Sequence, residues 1–219
     1  LDEACLAGAS FRGAILAGTS LAGCDLTEAT LGGARLRAAG LHGCNLAGVS
    51  FDDMSLAGAD LRGADLRGAS FCGTDLSRAD LSGAKLDGAR LAAKLERCNL
   101  EGASLAGVDL NGAELINVTL SQAELAGANL AGARFYKCTL SKLDLSQVLL
   151  KGAAIVQSLI EKASAAGVDF SGCDLTDSTL DDADLSGANL RGVTAIQTSF
   201  ARAKLDGANL SEIVAERAS

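Results

Sequence analysis

Residues capable of acid–base or metal chemistry recur in this sequence in steps of five. Asp60, Asp65, Asp75 and Asp80 are spaced in that way. Paired carboxylates can serve as acid and base or hold a cation. Here, though, each carboxylate fills the same polar slot of a repeated unit, so none is distinguished from its neighbours. They read as strand-exposed groups that cap or hydrate the backbone. Calcium-binding repeat arrays use a nine-residue G-G-x-G-x-D pattern, which does not occur here.

The seven cysteines show none of the paired spacings of a zinc site or redox motif. Cys24, Cys44, Cys98, Cys138 and Cys173 fall in a small slot usually held by Ala, where a thiol acts as a small hydrophobe. Cys5 and Cys72 are expected to point outward on different sides, and reduced thiols are expected throughout. The single histidine, His42, sits at a variable outward slot with no recurrent carboxylate or thiol partner on its own strand. It reads as a solvated surface residue. No catalytic, cofactor-binding or metal-binding set emerges, and the chain is expected to be neither an enzyme nor a cofactor carrier.

The element that positions these residues is a five-residue repeat. The runs 59-ADLRG-ADLRG-ASFCG-TDL-76 and 183-ADLSG-ANLRG-192 show its order: small, polar, Leu or Phe, variable, usually Gly. Large central residues recur from Leu1 to Leu91 and, after one missing residue near 91–95, from Leu95 to Leu210. Of these 43 centres, 39 are Leu or Phe, and the consensus weakens over 153–167. A helix cannot bury this pattern, because a step of five turns the side chain by about 140°. In an extended chain the small and central residues share one face, while the polar residue between them faces away. Gly at the end of each unit suits a corner that needs positive φ.

A longer period sets how many repeats close one coil. Non-glycine corners recur 20 residues apart, as at Asn117, Lys137 and Gln157, and so do Phe51 and Phe71, or Cys24 and Cys44. Four repeats per coil follow. The expected fold is all-β: a solenoid over 1–210 of about eleven coils and about 50 Å. Its core holds Phe51, Phe71, Leu66, Leu130, Cys24 and Cys44, with like stacked on like. Residues 211–219 are expected either to form a short helical turn or to continue the repeat.

These residues resemble the pentapeptide-repeat family, whose A(D/N)LXX consensus appears at 59-ADLRG, 79-ADLSG and 128-ANLAG. The resemblance implies a right-handed quadrilateral β-helix. In one subgroup it implies an acidic mimic of duplex DNA that binds type II topoisomerases and protects them from quinolones. That subgroup is Phe-rich at the centre, carries projecting loops and dimerises through a C-terminal module, whereas these centres are mostly Leu and no register break could hold a loop. Leu-type segments that act as scaffolds in adaptor or effector proteins are more similar, and the chain is expected to be part of such a longer protein.

Charge and hydropathy bound the partners. A net charge of −8 disfavours phosphate backbones, so no direct nucleic-acid binding is expected. No apolar stretch of about 18 residues suggests membrane insertion. The expected location is the cytoplasm; the chain begins at Leu1 in mid-pattern, which is also compatible with a signal removed upstream.

Two surface features remain. At one corner Ile116, Tyr136, Val156, Thr176 and Ile196 follow one another every 20 residues, with Leu149 and Leu159 at neighbouring outward slots. An apolar strip of this kind marks a protein interface; a homodimer and a heterologous partner fit it equally. On another side Asp25, Glu28, Asp65, Asp87, Glu124, Asp144, Asp184 and Asp206 meet only Arg67, Lys85 and Lys204. Eight carboxylates against three cations leave −5 there. That acidic face fits DNA mimicry or simple solubility.

Overall fold

The computed structural model describes all of residues 1–219 and divides them into two compact units, Leu1–Asp109 and Leu110–Ser219. Both are β-helical, built from parallel strand contacts, and neither contains a helix.

In the first unit the pairing step is 20 residues, as in the bridges Asp25↔Asn45 and Asn45↔Asp65. Residues 61–65 show how one repeat satisfies its backbone. Leu61 and Gly63 donate forward to Asp80 and Ser82, Asp65 donates back to Cys44, and Ala64 closes a turn onto the Leu61 carbonyl. With φ of 63° at Gly63, that turn is type II. One donor is left over, the N–H of Arg62, and the Asp60 carboxylate accepts it at 3.3 Å. The consensus Asp or Asn is therefore a corner cap, giving a side-chain acceptor to the one N–H that the ladder and the turn leave over. Asp75, Asp80 and Asn99 accept in the same way from Ser77, Ser82 and Glu101.

The centres form the core of this unit. Leu26, Leu46, Leu66, Phe51 and Phe71 are fully buried. The Phe51 and Phe71 rings lie 5.1 Å apart and 11° from parallel. Each such side chain contributes about 1.5–3 kcal/mol of burial before chain entropy. The missing residue near 91–95 shortens the step to 19, as in Asp75↔Lys94 and Asp80↔Asn99, and the pairing continues. The two-residue strand β1, Leu95–Glu96, follows directly.

In the second unit three strands, β2 (Glu114–Ile116), β3 (Arg134–Tyr136) and β4 (Ala154–Val156), pair in parallel with a step of 20. Leu130, Leu150, Phe170 and Leu190 are buried one coil apart, and the atypical centres Ile155, Ile160 and Ala165 are each 1% exposed. The span 153–167 thus keeps its register despite its weaker consensus. Residues 211–219 continue the repeat: Val214 bridges Thr194, and the Ser219 N–H reaches the Thr198 carbonyl at 3.1 Å.

Candidate protein interface

The apolar ladder lies wholly in the second unit. Most corners are tight turns, but β2, β3 and β4 run extended through the first corner position and bend one residue later. The bends fall at Asn117, Lys137 and Gln157, with φ of 54°, 54° and 51°. This holds Ile116, Tyr136 and Val156 in strand conformation, which suits β-branched and aromatic side chains. Ile116 pairs with Tyr136, and Tyr136 with Val156. Two further coils extend the stack: Gln157 donates to the Thr176 carbonyl at 3.0 Å and Asp177 to that of Ile196 at 2.9 Å.

Ile116 and Tyr136 are 37% and 40% exposed, while Val156, Thr176 and Ile196 are half-buried. The Lys137 ammonium sits 4.9 Å from the centre of the Tyr136 ring. Leu149 and Leu159 are also exposed, but they belong to other ladders. Leu149 bridges Asn129, and Leu159 bridges Thr139 and Thr179. One chain corner separates Leu159 from Val156 and another separates Leu149 from it, so the strip consists of the corner ladder with Leu159 beside it.

Sequence reasoning passed over the charges that border the ladder. On one side stand Glu114, Arg134, Ala154 and Asp174; on the other Asn117, Lys137, Gln157 and Asp177. Arg134 Nη1 lies 3.2 Å from Glu114, and Gln157 Nε2 lies 3.5 Å from Asp177. The 20-residue step, applied to the slots on either side, would have exposed them.

The acidic residues are largely engaged in local bonds. In the first unit Asp65 takes a two-pronged pair from Arg67 at 2.8 and 2.5 Å, and those hydrogen bonds hold its carboxyl below the usual range. Asp25 accepts from the backbone and hydroxyl of Thr27, Asp87 from the Ser104 hydroxyl, and Glu28 is exposed at a corner with φ of 60°. In the second unit Asp144 and Asp184 cap Ser146 and Ser186, whose hydrogen bonds depress both carboxyls. Glu124 and Asp144 line one shallow cleft with Lys142, Lys204 lies 3.5 Å from Asp184, and Asp206 is exposed.

His42 is an exposed surface residue with no partner on its own strand, but it has one on the neighbouring coil. Its Nδ1 is 3.4 Å from Asp60, which comes from the next coil and is also gripped by Arg62. The 18 residues between the two place them on adjacent coils, so their contact depends on the coil pairing and not on local sequence. No group of three or more His, Cys, Asp or Glu side chains converges as a cation site would require, and no helix is long and apolar enough to cross a membrane.

Capped five-residue corners around a Leu core define a β-helical repeat protein. The chain belongs to the pentapeptide-repeat family: the model "Pentapeptide repeats" matches in eight copies, covering 4–152 and 160–219. Among solved structures it is similar to HetL, a pentapeptide repeat protein involved in heterocyst differentiation regulation from the cyanobacterium Nostoc sp. strain PCC 7120. Identity is 29% over 97% of this chain and 85% of that one, with a TM-score of 0.42. It is also similar to a trypsin-treated variant of QnrB1, a plasmid-mediated fluoroquinolone resistance protein, at 21% identity over 78% and 89% of the two chains and a TM-score of 0.39. A pentapeptide repeat protein of the Arabidopsis thaliana thylakoid lumen matches at 29% identity over 53% of this chain and 68% of that one, with a TM-score of 0.20. No curated protein matches the sequence significantly.

Proposed function

We propose that this chain is a non-enzymatic scaffold that binds protein through the Ile116–Ile196 ladder. This reading takes the coils as right-handed and four-sided, about eleven in number, with the interior filled and only the exterior free to interact. The observation that carries it is the row of five side chains stacked at one corner, four of them apolar, where Tyr136 keeps 40% of its surface exposed. Corner slots elsewhere hold mainly Ala, Ser, Asp or Arg. Replacing Tyr136 or Val156 with Asp places a charge in the strip while leaving the buried centres intact. Loss of self-association or partner capture in either variant supports the assignment; unchanged association in both rejects it.

The acidic residues favour a second reading, inhibition or protection of a type II topoisomerase by DNA mimicry. Its support is that hydrogen bonds depress the carboxyls of Asp65, Asp144 and Asp184 and so favour their charged form. Arg67 and Lys204 weigh against it by neutralising two of these sites. Gyrase supercoiling assayed with the purified chain, with and without a quinolone, tests it; no effect at micromolar concentration rejects it.

A further inference from the structure

The ladder and its borders are self-complementary about the coil that contains Val156. We infer that the occupant of this surface is a second copy of the chain, docked antiparallel, so that Val156 meets Val156 of the partner copy. This rests on the interface reading above and adds the identity of the partner.

Two copies of the second unit facing each other across a twofold axis have two arrangements. If the axis lies in the interface and crosses the stacks of coils, each column meets its own copy in reverse order. Ile116 then faces the second copy's Ile196, and Tyr136 its Thr176. One coil before Val156 stand Arg134 and Lys137; one coil after it stand Asp174 and Asp177. Reversal sets Arg134 against Asp174 and Lys137 against Asp177, each pair occurring twice. Leu159 lies on the axis level and meets its counterpart, with Thr139 opposite Thr179.

If the axis instead runs along the stacks, coils meet at the same level and the two borders exchange. Lys137 then faces Arg134, and Asp177 faces Asp174. Like charges in apposition are costly, and opposed charges select the register. The same four residues therefore favour the antiparallel arrangement twice, by attraction in one and repulsion in the other. Arg134, Lys137 and Asp177 are exposed, while Asp174 is half-buried with its Oδ1 accepting from the backbone and hydroxyl of Thr176, so the Lys137–Asp177 pair carries most of the selection.

The strip spans five coils, about 20 Å. That is small beside the ~800 Å² per partner of a standard stable complex, so the dimer is weak, with Kd on the order of 0.1 mM. Sedimentation equilibrium of the whole chain between ~10 μM and ~1 mM reads it. Lys137→Asp or Asp177→Lys alone should weaken association about tenfold, and the two together should restore it to within about twofold. Orientation is read by disulfide trapping, with Cys5 and Cys72 changed to Ser. A mixture of Ile116→Cys and Ile196→Cys chains should form the mixed 116–196 disulfide. Predominant 116–116 linkage, or failure of the double charge swap to restore association, overturns the proposal. A chain that stays monomeric at ~1 mM also overturns it. In that case the broader interface reading is judged separately, by whether Tyr136→Asp abolishes capture of a different protein.

Discussion

The Cys138 thiol donates to the Leu115 carbonyl 3.2 Å away, an acceptor 23 residues earlier in the chain. Cys24, Cys44, Cys98 and Cys173 do the same to Leu1, Leu21, Leu76 and Leu150. Thr74, Ser178 and Thr198 use the equivalent geometry with hydroxyls. The small inward slot thus admits a polar atom wherever that atom can reach the carbonyl of a central residue in the preceding coil. Cys138→Ser should retain stability, whereas Cys138→Val should lose about 1 kcal/mol in urea denaturation.

Burial also sets thiol reactivity. Loss of hydration pushes the thiols of Cys44 and Cys173 up to about 11 and that of Cys98 up to about 12. A thiolate is the reactive form. Iodoacetamide at neutral pH should therefore label Cys5 and Cys72 in the folded chain and the other five only after denaturation, as read by peptide mass mapping.

Acid should loosen the corners. Hydrogen bonds from Arg62, Arg67, Ser77 and Ser146 depress the carboxyls of Asp60, Asp65, Asp75 and Asp144. Because the folded-state values lie below the unfolded ones, this stabilisation is complete above the ordinary Asp value. It is lost as pH falls through the depressed values. The urea midpoint should be flat from neutral pH to about 5 and fall below about 4. Asp144→Asn keeps an acceptor for Ser146 and should be nearly neutral at pH 7, while Asp144→Ala should cost about 1 kcal/mol.

Corner conformation gives a prediction in both directions. Gln122 holds φ of 61°, a region costly for any residue with a Cβ. Gln122→Gly should stabilise the chain by about 1 kcal/mol. At Gly63, also positive in φ, an added methyl would meet no atom within 4 Å, so Gly63→Ala isolates backbone strain. It should cost about 1 kcal/mol by the same measurement.

Core truncation should be far more damaging. Leu66 is 0% and Leu130 1% exposed, each in a stack of large centres. Leu66→Ala or Leu130→Ala should cost about 2–5 kcal/mol by equilibrium unfolding, with no change in the surface ladder.

The pairing step and the inward Leu were legible because a strict period in residue size leaves only one backbone geometry that buries every centre. The slot of Asp60 is legible for the same reason, but the sequence leaves open whether it caps or merely hydrates the backbone, and the bond from the Arg62 N–H decides for capping. What escaped depends on contacts between coils. The pairing of His42 with Asp60, the thiol bonds, and the placement of Leu149 and Leu159 in separate ladders all join residues about 20 positions apart. The extended corners of β2–β4 did leave a signal, since Ile116, Tyr136 and Val156 are strand-favouring residues where turn formers are usual. Reading that signal as conformation, rather than only as surface character, would have identified the strands.

The shortened step after Asp75 shows that a counting error is corrected locally. Coils beyond the lost residue close with their own hydrogen bonds, and Thr119↔Thr139 in the second unit has the full 20-residue interval. The length of either β-helical unit is consequently an adjustable quantity: duplication or excision of a whole coil would lengthen or shorten it without asking distant side chains to find new neighbours. A gene encoding such an array can measure distance in increments, much as a ruler does.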